Sequence, residues 1–106
     1  MTLREAQEAV DRYIGQFQEG YFEPLANLAR LTEEQGELAR ELLHAHGPKP
    51  KKPGEPPGSV AEELGDVLFV VICLANSLDV DLDDALRRVL RKFQERDHDR
   101  WTRREP

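Results

Sequence analysis

Two short runs place carboxylates at helical spacing: Glu33-Glu34-Gln35-Gly36-Glu37 and Glu62-Glu63-Leu64-Gly65-Asp66. Residues three apart on an α-helix stand one turn apart on one face, so Glu34 with Glu37, and Glu63 with Asp66, each direct two acids the same way. Without a cation such acids repel. If the two helices are neighbours, the pairs converge into a nest of four carboxylates, the hard oxygen environment that suits Mg2+ or Mn2+ rather than thiol-seeking metals. The alternative is a solvated surface, because Glu62, Glu63 and Asp66 also lie in the first turns of a helix, where negative charge is favourable in any case.

Two features favour the metal. Asp66 leads directly into the apolar run Val67 to Ala75, and Arg88, Lys92, Arg96 and Arg100 recur every four residues as a basic stripe. Acids holding a divalent ion beside such a stripe suit a polyphosphate, whose oxygens the metal bridges while Lys or Arg neutralises the remainder. Taken alone, the stripe is equally a solvated helix end complementing the dipole. Gly36 and Gly65 each cost about 1 kcal/mol relative to Ala inside a helix, which predicts that a backbone, a ligand or a neighbouring helix comes close there.

The elements that must position these residues are helices. Thr2 and Glu5 have capping-box spacing, and Leu3, Ala6, Val10, Tyr13, Ile14 and Phe17 mark the apolar face of a first helix that Gly20 closes. Pro24 suits the first turn of a long second helix ending at Gly47. Ser59 and Glu62 repeat the capping spacing at the start of a third, which is apolar all round between Val67 and Ala75 and therefore reads as a subunit interface. Asp81 can cap a fourth. The Pro-, Lys- and Gly-rich stretch 47–58 is a mobile connection or a basic lid that orders over an anionic ligand, with Lys49, Lys51 and Lys52 available to close over phosphates. The expectation is one all-α domain over residues 1–106, a four-helix bundle-like protomer that assembles into a dimer or tetramer.

Composition narrows the function further. The chain has 106 residues, 15 Lys+Arg against 21 Asp+Glu, a net charge of -6 and a single cysteine, Cys73. A domain of this size buries only roughly two thirds of the surface its unfolded chain exposes, so self-association is expected to help it. One cysteine can form neither an internal disulfide nor a Cys-rich zinc site, which points to a reducing compartment, the cytoplasm by default. The N-terminus lacks an apolar signal core and no apolar run approaches the ~20 residues that span a bilayer. Net acidity disfavours a stable nucleic-acid partner.

The pattern E-E-x-x-E, here Glu33, Glu34 and Glu37, followed by E-x-x-D, here Glu63 and Asp66, resembles the signature of the MazG-like nucleotide pyrophosphohydrolases. The resemblance extends to EGYFEPLANLARLTEEQGELARE, GPKPKK, EELGDVLFVVICLANSLDVDL and KFQERDHDRW, nearly the whole chain, and is to a short, single-domain branch without the tandem domain of longer members. It implies an all-α oligomer that hydrolyses a nucleoside triphosphate to the monophosphate and pyrophosphate with Mg2+, in keeping with house-cleaning of the nucleotide pool. Carried over, Glu34, Glu37, Glu63 and Asp66 correspond to metal ligands and Glu33 to the additional motif acid. On that basis Glu33, Glu34 and Lys92 are candidate catalytic residues. Lys92 and Arg96 are candidates for the β- and γ-phosphates, and Asn76 for base or sugar, with capping of the helix end as the alternative for Asn76. Phe17, Tyr21, Phe22 and Trp101 either stack on a base or belong to the core.

Two rivals come from other classes. Glu41-x-x-His44 and Glu95-x-x-His98, with Glu8 and Glu63, have the spacing of a ferritin-like di-iron carboxylate protein. A catalytically silent helical interaction module needs only surface acids and an apolar third helix. The metal site meets one geometric difficulty: Glu37 precedes the connecting stretch by about nine residues and Glu63 follows it by about five, an offset of roughly 6 Å in a simple hairpin.

Overall fold

Caps and a proline set where the helices begin. The computed structural model describes residues 1–48, 51–54 and 58–105; its elements are α1 (Leu3–Ile14), α2 (Pro24–His46), α3 (Val60–Ser77) and α4 (Leu82–Arg96), with no strand among the described residues. Thr2 Oγ1 accepts from the Glu5 N–H at 3.1 Å while the Thr2 N–H donates to Glu5 Oε1 at 2.8 Å, the reciprocal box its spacing predicts. Pro24 stands in the first turn of α2, Ser59 Oγ accepts from the Glu62 N–H at 3.1 Å, and Asp81 Oδ1 accepts from the Asp83 and Asp84 N–H groups. The all-α, four-helix expectation is met.

The end of α1 differs from the expectation. The helix stops at Ile14, and the next turns tighten to i→i+3 bonds from Gln16 to Tyr13 and from Phe17 to Ile14. Gly20 is not its cap but a reversal further on, with φ +66°, where a side chain would be strained. That reversal returns Tyr21 to α1, where its hydroxyl donates to Asp11 Oδ1 at 2.7 Å. Burial, followed by this bond to a carboxylate, pushes the Tyr21 hydroxyl up to about 12.

The core lies where α3 meets α2 and α1. Val70, Ile72, Cys73 and Ala75 are buried, and Asn27 of α2 is the buried polar residue, its amide reaching Phe22 O at 3.4 Å. The apolar run is not enclosed on every side, however: Leu68 is 48% exposed, so a single chain leaves part of α3 uncovered. α4 leaves the bundle at a corner clipped to α1. Gln7 Nε2 donates to Val80 O and Gln7 Oε1 accepts from the Leu82 N–H, both at 2.9 Å, while Arg4 pairs with Asp81 at 3.1 Å. Beyond that corner Leu86, Leu90 and Phe93 stay open to solvent. The radius of gyration, 17.7 Å, reflects this projection, since a compact chain of this length has about 13 Å. None of the helices is long and apolar enough to cross a membrane.

Asn76 is the knot of the corner. Its Nδ2 donates to Gln7 O at 3.0 Å and to the Tyr21 hydroxyl at 2.9 Å, and its Oδ1 accepts from Gln7 Nε2 at 2.9 Å. Asn76→Ala leaves these partners unsatisfied, so urea unfolding followed by circular dichroism should show a loss of roughly 1–3 kcal/mol.

Candidate metal centre

Glu34 and Glu37 of α2 and Glu63 and Asp66 of α3 each offer a carboxylate oxygen, and these four oxygens lie within 4.8 Å of one another. Two acids from each helix therefore meet across the α2–α3 interface, which is the most extensive helix contact in the chain. The expected hairpin offset is absorbed by the connection. α2 runs nine residues beyond Glu37, whereas α3 starts only three before Glu63, so the chain must return alongside the last turns of α2. It does so at two points. Lys51 Nζ pairs with Glu41 Oε1 at 3.3 Å, and Gly58 lies directly against the Glu41 carboxylate, where a Cβ would collide.

The inner pair is under electrostatic stress. Glu34 and Glu63 are half-buried, and the Oε2 atom of each is shut off from solvent with no hydrogen-bond partner among the described residues. Burial, then the charges of Glu37 and Asp66, hold both carboxyls above the usual glutamate range. Orphaned buried carboxylate oxygens are costly unless something cationic takes them. The donor set, four hard oxygens at mutual ligand distance, fits a divalent ion of the Mg2+ or Mn2+ class. Glu37 and Asp66 form the exposed side of the cluster.

The other candidates are placed elsewhere. Glu33 is exposed on α2 and outside the cluster. Lys92 and Arg96 line an open groove on α4 with Arg88, Arg91 and Glu95, and none of the four acids borders it. Arg88 pairs with Asp84, Arg96 with Asp97, and Lys92 lies over the Phe93 ring at 5.3 Å. Arg100 lies past the end of α4, so the helical stripe ends at Arg96. Asn76 stands ten residues beyond Asp66, roughly 15 Å along α3, and is a clamp between helices rather than a cap. Tyr21 is committed to Asp11 and Asn76. Phe17 meets Tyr13 edge-on at 5.4 Å, and Trp101 is 70% exposed beside Arg100. Lys52 is exposed; Lys49 lies outside the described residues.

Two expectations are corrected. A Cβ added at Gly36 or Gly65 would meet nothing within 4 Å among the described residues, so the backbone or neighbouring helix expected there is not found within the chain. The di-iron ligand set does not assemble: His98 follows the end of α4, and among the described residues Glu63 groups with Glu34, Glu37 and Asp66, not with Glu8, Glu41 or Glu95. Glu41 is instead the anchor of the returning connection.

Arg30 carries weight that spacing alone does not announce. It stands one turn before Glu34 on α2, with its guanidinium carbon over the Phe22 ring at 5.9 Å and over the Phe69 ring at 5.7 Å. Its charge counters the upward shift of Glu34. The signal available in the sequence was the i, i+4 relation of a cation to a motif acid.

Residues 22–101 match the model of the MazG nucleotide pyrophosphohydrolase domain. YpjD of Bacillus subtilis is 64% identical over 104 residues, covering 98% of this chain and 94% of that protein. Its crystal structure superposes with a TM-score of 0.80 at 62% identity, over 88% of this chain and 95% of that one. A Bacillus-conserved MazG protein, a nucleotide pyrophosphohydrolase, gives a TM-score of 0.77 at 56% identity, over 88% and 90% of the two chains. The nucleoside triphosphate pyrophosphohydrolase/pyrophosphatase MazG of Thermotoga maritima is 44% identical over 48 residues, 45% of this chain and 19% of that protein.

The stressed carboxyls give the metal-free protein a distinctive pH dependence. The folded chain keeps protons on Glu34 and Glu63 at pH values where the unfolded chain has released them. Stability therefore falls as pH rises from the ordinary glutamate range through the raised folded values. Thermal unfolding in EDTA should show Tm declining over that window, and millimolar Mg2+ should remove the decline at neutral pH.

Proposed function

The chain belongs to the MazG nucleotide pyrophosphohydrolase family, and from that premise we propose that it hydrolyses a nucleoside or deoxynucleoside triphosphate to the monophosphate and pyrophosphate, using Mg2+ or Mn2+ held by Glu34, Glu37, Glu63 and Asp66. Family membership makes it a hydrolase. The observation that most supports the metal assignment is the convergence of four ligand-capable oxygens within 4.8 Å, with the Oε2 atoms of Glu34 and Glu63 lacking partners among the described residues.

A divalent ion at these oxygens would neutralise phosphate charge and make a nearby water more acidic. Everything else falls to the chain. Glu34 and Glu63 fix the inner side of the site, and Glu37 and Asp66 face the solvent from which a polyphosphate arrives. Glu33, or whichever motif acid is not fully engaged, orients or deprotonates the attacking water. Attack at the α-phosphorus forms the new P–O bond as the α–β anhydride bond breaks, and pyrophosphate leaves. Lys92 and Arg96 take the β- and γ-phosphates from a second copy, since α4 packs against α1 rather than along the acid-bearing helices. The uncovered apolar side of α4 suits that dimer or tetramer. Asn76 has one acceptor lone pair left for base or sugar. The whole of residues 1–106 then acts as one domain in nucleotide-pool cleaning.

Incubation with a panel of NTPs and dNTPs plus Mg2+ should yield monophosphate and pyrophosphate, resolved chromatographically; orthophosphate, or no product, would refute the proposal. Glu37→Gln should lower kcat/KM by roughly two orders of magnitude or more, keep the wild-type circular dichroism spectrum and lose the Mg2+-induced rise in Tm.

A further inference from the structure

Four carboxylates facing a polyphosphate leave negative charge that one or two divalent ions do not fully cancel, so the site needs a cation on the acids' own face. The α4 cations are poorly placed for this within one chain, because Arg88 and Arg96 are already paired with Asp84 and Asp97. Arg30 has a different setting. It lies one turn from Glu34, half-buried, and among the described residues its guanidinium makes no ion pair or hydrogen bond. Its neighbours are the rings of Phe22 and Phe69, at 5.9 and 5.7 Å. A ring face attracts a guanidinium charge without accepting its hydrogen bonds, so the five N–H donors, which meet no acceptor among the described residues, stay available. A half-buried cation near two rings, close enough to Glu34 to feel its charge but in no ion pair with it among the described residues, is arranged to receive an anion at the same face.

We propose that Arg30 is a substrate-binding residue, donating from its guanidinium edge to a phosphate oxygen of the metal-bound polyphosphate. This rests on the pyrophosphohydrolase reading above and adds to it a contact supplied by the same helix that carries Glu34 and Glu37.

The test compares wild type with Arg30→Gln and Arg30→Lys in three measurements: Mg2+ affinity without nucleotide, inhibition by inorganic pyrophosphate, and KM for the triphosphate that wild type cleaves fastest. Loss of a charge-assisted bond should weaken pyrophosphate and nucleotide binding roughly tenfold to a hundredfold in Arg30→Gln, while Mg2+ affinity is undiminished. Arg30→Lys, which keeps the charge but loses the planar fork, should fall between the two. Unchanged pyrophosphate affinity in Arg30→Gln overturns the assignment, as does a parallel loss of Mg2+ affinity, which would make Arg30 only a support for Glu34. If Arg30→Gln does not fold, Arg30→Lys decides: pyrophosphate inhibition and KM equal to wild type overturn the contact, and weakening of both upholds it. Wild type that binds Mg2+ and cleaves triphosphate while the variants match it sinks Arg30 alone; wild type that does neither sinks the function reading first.

Discussion

Repulsion among four carboxylates is the constraint around which the rest of the molecule is organised. Two acids from α2 and two from α3 sit at mutual ligand distance, and the inner pair is half-buried with an orphaned oxygen on each side chain. Left to themselves, helices so charged would separate. They are held by the apolar stretch of α3 that begins directly after Asp66, whose Val70, Ile72, Cys73 and Ala75 are buried. Hydrophobic burial along one part of the interface thus keeps together a part that electrostatics would open, and a divalent cation held there, as proposed, would convert that repulsion into attraction.

Register follows from the same constraint. Bringing Glu37 level with Glu63 requires α2 to extend well past the point where α3 begins, and a short symmetric turn cannot do this. The connection instead returns along α2, fastened where Lys51 meets Glu41 and where Gly58 admits the Glu41 carboxylate against the backbone. Glu41 thereby anchors the register of the acid cluster without belonging to it.

Much of this was legible in the residues. Thr2, Pro24, Ser59 and Asp81 mark helix starts because capping is local chemistry, decided by atoms within a turn. The four acids were legible because helical spacing and carboxylate chemistry suffice to group them. What escaped depends on distant partners. α1 ends at Ile14 and the chain then returns Tyr21 to Asp11, and the apolar periodicity through Phe17 carries no trace of either. The clamp at Asn76 depends on Gln7, 69 positions away. Gly36 and Gly65 were expected to mark close approaches, yet composition does not say which side of a helix a neighbour occupies. Arg30 carries no such mark in the sequence, because its ring partners, Phe22 and Phe69, come from opposite sides of it along the chain.

The chemistry of the centre is also shaped by what is held away from it. Cys73 and His44 are the soft and borderline donors nearest in sequence, each on a helix that carries two of the acids. Cys73 stands seven residues from Asp66, roughly 10 Å along α3, buried with burial holding its thiol up. His44 lies seven residues beyond Glu37, and its Nδ1 is shut from solvent. Each therefore sits two turns from the acids on its own helix, in opposite directions along the paired rods. A purely carboxylate set follows, and such a set discriminates by hardness rather than by raw affinity, which would favour copper or zinc if nitrogen or sulfur took part. The same separation explains why Glu41-x-x-His44 builds no second centre: Glu41 is occupied by Lys51, and His44 lies a further turn from the acids of α3. Selection for a hard cation in the proposed site is thus a property of spacing along two helices, established before any ligand arrives.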